Sequence, residues 1–254
     1  MISIPSDTND TCFIGGICSL PSGQVIVIDQ NNKRVKLLDQ HYTLSSHCNL
    51  SGDPWDICKI TSNEVAVTVY KYVQFISVTN GQLVNVRKFQ LPHEAVGIAY
   101  HQGALYVTSY NALYHFTLKG SLVKKLYEDG IKSISNTVFK CAVSPDGDRI
   151  YVTNCKMHKL ITLASDGTVI STFTDDELQK PWGIHVTPAG QVLVCGCNSN
   201  TVIQVDRQGK KKLATLESNK DGVRQPVSVC YNNKTDQIIV GLHNNNKINV
   251  MELP

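Results

Sequence analysis

The chain repeats itself. Six short apolar runs, centred on Ile17, Ile57, Ile98, Val143, Ile184 and Val229, are separated by 40, 41, 45, 41 and 45 residues. A fixed period of this size marks an array of like supersecondary units, each too small to bury its own apolar face. Every unit has the same grammar. A short apolar strand ("GICSL", "DICKI", "GIAYH", "CAVSP", "GIHVT", "VSVCY") meets a tight turn such as Pro21-Ser22-Gly23, Pro145-Asp146-Gly147 or Pro188-Ala189-Gly190. A β-branched strand follows ("QVIVID", "EVAVTV", "ALYVTS", "RIYVTN", "QVLVCG", "QIIVGL"), then a polar loop, a third alternating strand, a Gly-containing turn and a fourth strand. Alternation of apolar and polar residues marks strands with one buried face, and Gly supplies the positive φ that the turns need.

The ends settle how the array closes. Only 25 residues follow Val229 and 17 run up to Ile17, which together make one more period. The sixth unit is therefore divided between the termini, with "KINVMEL" as its third strand and "ISIPS" as its fourth. An open solenoid would need polar caps at both ends, and a sandwich would not keep a constant four-strand period. The sequence predicts an all-β, six-bladed β-propeller of four-stranded blades. It is one domain over 1–254, its last blade closed by the N-terminal strand. Helix is expected at most as one turn, over "DDELQK" at 175–180.

Composition narrows the function. Of 254 residues 42% are apolar, enough for a substantial core, and 24 basic against 21 acidic side chains leave a net charge of +3. That balance gives no overall pull toward nucleic acid or membrane, so any electrostatic footprint must come from placement. No apolar run reaches the 18 or more residues of a membrane span, and the start lacks the features of a signal peptide, so a cytoplasmic protein with no membrane partner is expected. The nine cysteines are odd in number. Cys18, Cys58, Cys141 and Cys230 lie inside apolar strands and read as small buried hydrophobes in a reducing compartment. "CGC" at 195–197 has no second pair at zinc spacing, so no metal and no cofactor is expected. N-x-S/T sequons at Asn9, Asn49 and Asn233 leave glycosylation and secretion open.

The phrase "GICSLPSGQVIVIDQNNKRVKLLD" resembles the NHL repeat, G-I-x-V-x-x-x-G-x-I-x-V-x-D-x-x-N-x-R-I-x-x-F. The unit at 183–209 follows the pattern with Gly190, Asn200 and Val202, while the units at 57–91 and 98–126 lack the second-strand Asp. "LYVTS" and "IYVTN" also echo the YVTN variant of the propeller theme. These worn repeats, with "GDPWDIC", are similar to the C-terminal propellers of tripartite-motif (TRIM) proteins. The resemblance implies a module that recognises RNA or a protein for a RING-type ubiquitin ligase, and a longer parent chain that oligomerises through a coiled coil. The propeller itself is expected to be monomeric and non-catalytic.

In such a ring, second-to-third strand loops and blade-to-blade loops open on one face. The former carry Lys33, Arg34, Tyr70, Lys71, Tyr72, Tyr110, Lys156, His158, Lys159, His243 and Lys247, with no acid among them. Cations interleaved with aromatics and amides suit single-stranded nucleic acid, where charge meets phosphate and rings stack on bases. Asp53, Glu94, Asp175, Asp176 and Glu177 reach the same face from the blade-to-blade loops and dilute that signal; a merely solvated loop face is the alternative. Trp55 and Trp182, in "PWDI" and "PWGI", sit near the channel mouth, either as packing plugs or as anchors for a peptide or base. A pure protein-interaction scaffold would use the same face. A calcium-dependent, lactonase-like hydrolase would need several carboxylates on the inner strands, where only Asp56 and nearby Glu94 are acidic. His185, in a strand, reads as a core or channel histidine. "KKK" at 210–212 and "KK" at 124–125 fall in or beside outer strands, where charge discourages edge-to-edge association.

Overall fold

Each predicted unit is a four-stranded antiparallel sheet, and there are six. The computed structural model describes residues 1–5, 9–130 and 137–252; the other positions of the expected 1–254 domain lie outside the described residues. Blades 1 to 5 span 14–49, 54–90, 98–128, 141–173 and 181–217. Blade 6 takes three strands from 226–252 and its outer strand from Ile2–Ser3. There Ile2 pairs with Ile248 and Ser3 with Lys247, and the Ile4 N–H donates to Asn246 O at 2.5 Å. The expected split of the last blade is what the chain adopts, although the closing strand is only two residues long.

The core lies between blades rather than within one. Six apolar clusters each join neighbouring blades; Ile4, Ile14 and Ile17, for example, pack on Ile239 and Ile248 across the blade 6–blade 1 seam. Here the simple alternation rule fails. The second strand Val25–Asp29 is buried at all five positions, as is Val192–Gly196. A blade sandwiched between two blades has no solvated face near the axis. The outer strand Gln82–Gln90 is mostly exposed instead. At 175–180 the chain forms a turn, not a helix: Leu178 N–H donates to Asp175 O, Asp175 Oδ1 takes the Glu177 N–H, and Pro181 bars continuation. Among the described residues, the helical turn lies at Asn219–Asp221, with a capping box from Ser218.

Around the axis the first strands are stitched by hydroxyls. Thr68 Oγ1 donates to Val96 O of the next blade at 2.6 Å, Thr153 Oγ1 to Trp182 O at 3.2 Å, and Thr108 Oγ1 to Phe139 O. The same oxygens accept from their own first strands, from Asp56 N, Lys140 N and Gly97 N. In blade 6 the hydroxyl moves to the first strand, where Ser228 Oγ donates to Ile14 O at 2.6 Å. This close approach needs glycine: a Cβ on Gly97 would sit 2.7 Å from Lys140 Cα, and one on Gly183 2.6 Å from Ser228 Cα.

Two lysines are buried in ion pairs. Lys36 Nζ meets Asp29 Oδ2 at 2.8 Å with both side chains inaccessible, and also donates to Pro5 O at 2.6 Å. Burial alone would raise the Asp29 pKa, but hydrogen bonds from Lys36, Asn32 and Cys12 leave it below the usual carboxylate range. Asp29 also takes the Phe13 N–H. The NHL-like Asp therefore braces the start of blade 1 and holds the N-terminal segment against it. All nine cysteines are free thiols.

Two outcomes follow. Deleting residues 1–5 removes the fully buried Ile4 and the Pro5 acceptor of Lys36. Denaturant melts should show a loss of about 2–4 kcal/mol; unchanged stability would contradict the closure. Burial first, and Lys59 second, push the His185 pKa down to about 4, while burial lowers those of His93, His115 and His243. The unfolded chain binds these protons near pH 6.5 and the folded chain resists them. Stability should therefore be full above pH 6.5 and fall as pH drops toward 4, with His185 accounting for up to about 3 kcal/mol. A His185→Gln variant should show a shallower pH dependence of its melting temperature.

Candidate functional site

Six aromatic rings, one per blade, cap the axis on the face of the second-to-third strand loops. Phe13, Trp55, Phe139 and Trp182 come from the starts of first strands, and Tyr110 and His243 from loops. Phe139 touches Trp55 (centroids 6.3 Å) and Trp182 (5.4 Å), and Phe13 touches Trp182 (5.7 Å) and His243 (4.9 Å). Tyr110 packs against Phe139 and Val96. Edge-to-face contacts of this kind make a rigid plug. Phe13 and Phe139 are buried; Trp55 and Trp182 are half-buried.

Beneath the plug, Lys140 Nζ meets Asp56 Oδ1 at 3.1 Å and also donates to Gly15 O, while Asp56 Oδ2 takes the Ile98 N–H at 3.1 Å. Burial pushes the Asp56 pKa up, and Lys140 and the Ile98 N–H offset part of that rise. The inner-strand carboxylate that a channel cation would require is thus held by a lysine. Among the described residues no three His, Cys, Asp or Glu side chains converge as a metal site.

Around the plug the six second-to-third strand loops differ in length, two residues in blades 2 and 3 and four in the others, but have one feature in common. Each places one residue in the left-handed region: Lys33 (φ 51°), Tyr70 (45°), Tyr110 (35°), His158 (52°), Asn200 (56°) and Asn244 (47°). Left-handed positions favour Asn and Gly. Blades 5 and 6 comply, while blades 1 to 4 hold Lys, Tyr, Tyr and His in a conformation costly for a full side chain.

The predicted residues fall into four groups. Lys33 is tied to Asp53 at 3.3 Å, and Arg34 Nε donates to Asn49 Oδ1 at 2.9 Å. Tyr72 exchanges a hydrogen bond with Ser51 at 2.7 Å and lies under Lys88 at 5.1 Å. Tyr70, half exposed, pairs with Glu94, which raises its pKa, and Lys71 Nζ stands 5.6 Å from its ring. On blade 4, Lys156 and His158 join Lys180 and Cys155 around a recess of about 250 Å³, and His158 Nδ1 accepts the Lys180 N–H. Lys159 opens the third strand of blade 4 and Lys247 that of blade 6. Trp55, Trp182 and His243 belong to the plug, and burial, then Lys180, lowers the His243 pKa.

The acids of this face are largely engaged. Asp175 and Glu177 bind Lys212 at 3.1 and 2.5 Å, Asp53 binds Lys33, and Glu94 binds Tyr70. Among the described residues no carboxylate stands within ion-pair distance of Lys71, Lys156, Lys159, Lys180 or Lys247. Lys180 is the residue the sequence reading passed over. Its Nζ is 5.2 Å from the Trp182 ring, and its place in "KPW", two residues before the tryptophan, was the available sign.

No family model matches the chain, and no curated protein matches it. Solved structures do. A virginiamycin B lyase from Staphylococcus aureus, in a catalytically inactive form with quinupristin, aligns over 98% of this chain and 87% of its own, with TM-score 0.66 and 15% identity. A Bacteroides thetaiotaomicron protein of unknown function aligns over 98% and 72%, with TM-score 0.76 and 12% identity. A luciferin-regenerating enzyme aligns over 91% and 84%, with TM-score 0.70 and 13% identity. Likeness at these identities establishes the six-bladed propeller and no activity. The fold occurs in enzymes, so function must be argued from the residues of this chain.

The axial ion pair generates a prediction. Lys140→Met leaves Asp56 buried without its partner and should cost about 3–5 kcal/mol, and replacing both (Lys140→Met with Asp56→Leu) should recover most of it. Equal stabilities of the single variant and the parent, by chemical denaturation, would show that the pair carries no such weight.

Proposed function

We propose that the chain is a non-catalytic recognition propeller that binds single-stranded RNA on the face of its second-to-third strand loops. Its role would be that of the recognition module in a tripartite-motif-type ubiquitin ligase. The reading rests chiefly on blades 1 to 4, which keep Lys33, Tyr70, Tyr110 and His158 at left-handed turn positions where Asn or Gly would be less strained. Left-handed non-glycine residues also occur in turns of the opposite face, at Tyr42, Asn80, Gln102 and Asp236, so it is the cationic and aromatic character of Lys33, Tyr70, Tyr110 and His158 on one face, and not strain alone, that argues for a use of their side chains. Two further features support it. Lysines without carboxylate partners stand beside rings, Lys180 against half-buried Trp182 and Lys71 against exposed Tyr70, which supplies charge for phosphates and ring faces for bases. The acids that would repel a polyanion are turned toward Lys33, Tyr70 and Lys212. The NHL resemblance of blade 1 points the same way.

Binding of an oligouridylate should weaken with salt, with a log–log slope near −3 for about four neutralised phosphates. Replacing Lys71, Lys156, Lys159 and Lys180 by Glu should abolish it, and affinity unchanged in that variant would overturn the RNA reading. If the ligand is instead a protein held by Trp55 and Trp182, binding should respond to Ala at those positions and little to salt. Tyr70→Asn should raise the melting temperature by about 2 °C by relieving the left-handed strain, while weakening RNA binding.

A further inference from the structure

The central channel is blind. The aromatic plug and the Lys140–Asp56 pair close it at one end, and it opens on the opposite face through the turns between first and second strands. The cavity left between has a volume of about 420 Å³, within the range of small-molecule sites. Its wall comes from all six blades, because the first strands of a closed ring face one another across the axis.

That wall has two characters. Ile98, Val143, Ile184, Val186 and Val229 supply aliphatic lining, and Val143, Ile184 and Val186 are only partly buried by the seams between blades. Cys18, Cys58, Cys141 and Cys230 add thiols that burial keeps protonated, so they act as soft apolar contacts. Polar groups interrupt this wall: Ser19, Ser144, Thr187, Tyr231 and Asn233 line the cavity too. Asp56 and Lys140 cancel each other at the inner end. His185 is neutral and has a ring N–H to give. The remaining charge on the lining is Lys59, on blade 2, for which no carboxylate partner lies among the described residues. The cavity thus joins an aliphatic and thiol wall to hydroxyl and amide groups, and carries a net charge of one cation.

We propose that this channel is a binding site for a small monoanion with an apolar body, a carboxylate whose head meets Lys59 and whose hydrocarbon lies against the aliphatic wall. The geometry sets the selectivity. A neutral analogue gains the apolar burial but not the ion pair, and an ammonium analogue meets a like charge. The site lies on the face opposite the RNA-binding loops, so it stands or falls independently of them.

Titration calorimetry with octanoate, octanol and octylamine tests this on the whole chain. Octanoate should bind with one-to-one stoichiometry, at least tenfold more tightly than octanol, and octylamine should not bind. Lys59→Met, an exposed substitution, should reduce octanoate affinity about tenfold without shifting the melting temperature. Ala142→Phe, which narrows the channel, should reduce binding of octanoate and octanol alike. The variant with Glu at Lys71, Lys156, Lys159 and Lys180 should bind octanoate as the parent does. Absence of octanoate binding, equal binding of octanoate and octylamine, or full affinity in Lys59→Met would overturn the proposal.

Discussion

The structure depends on one antiparallel contact between the ends of the chain. Ile2 and Ser3 finish the sheet that Lys247 and Ile248 leave open, and the chain then passes to blade 1, where Pro5 O accepts from the buried Lys36 ammonium. The outer strand of the last blade is thereby covalently continuous with the first blade. Blades 6 and 1 are otherwise joined by an apolar seam of the kind that joins every other pair and by hydrogen bonds such as that from Ser228 Oγ to Ile14 O. In a ring each seam supports both its neighbours, so a seam left to packing alone would be the weakest point of the whole circle. Ile4 and the Asp29–Lys36 pair sit at that seam.

Closure explains the polar anatomy at the axis. Six first strands brought together present backbone carbonyls to one another at close range, and buried carbonyls need donors. Thr68, Thr108, Thr153 and Ser228 provide them, each linking its blade to the next. Lys140 serves Gly15 O across the channel and needs Asp56 to balance its charge. The inner-strand acid that might have suggested a catalytic cation thus has a structural occupation. The channel is stopped by rings on one face and open on the other. The ringed face presents cations and aromatics, while the channel that opens on the other face keeps Lys59 as the charge left over from the Asp56–Lys140 pair.

Much of this was legible beforehand. The period of the apolar runs and the complementary lengths of the two ends gave six blades and their closure. The strand order expected within each blade puts the acid-free loops together on one face. Three things were not legible. The threonines read as ordinary β-formers in "AVTV", "YVTS" and "YVTN", because the carbonyl each serves belongs to a strand about 30 residues further on. The tryptophans could be placed near the channel mouth but not assigned as plug, since their partners Phe13, Phe139 and His243 come from three other blades. The helix expected at 175–180 is a turn because an Asx contact and the following proline act before any helical hydrogen bond can propagate.

The sequence by itself determined the repeat, the strand order within each blade and the join between the termini. Those features follow from local alternation and from counting residues, and neither needs a partner from elsewhere in the chain. The tertiary structure alone decided which charges survive. Asp53, Glu94, Asp175 and Glu177 looked like diluents of a basic face until the loops folded and paired them with Lys33, Tyr70 and Lys212. It also decided that Lys59 and His185, 126 positions apart, line one cavity. Charge and enclosure depend on distances in space, and a ring of blades sets those distances only when its last strand is in place.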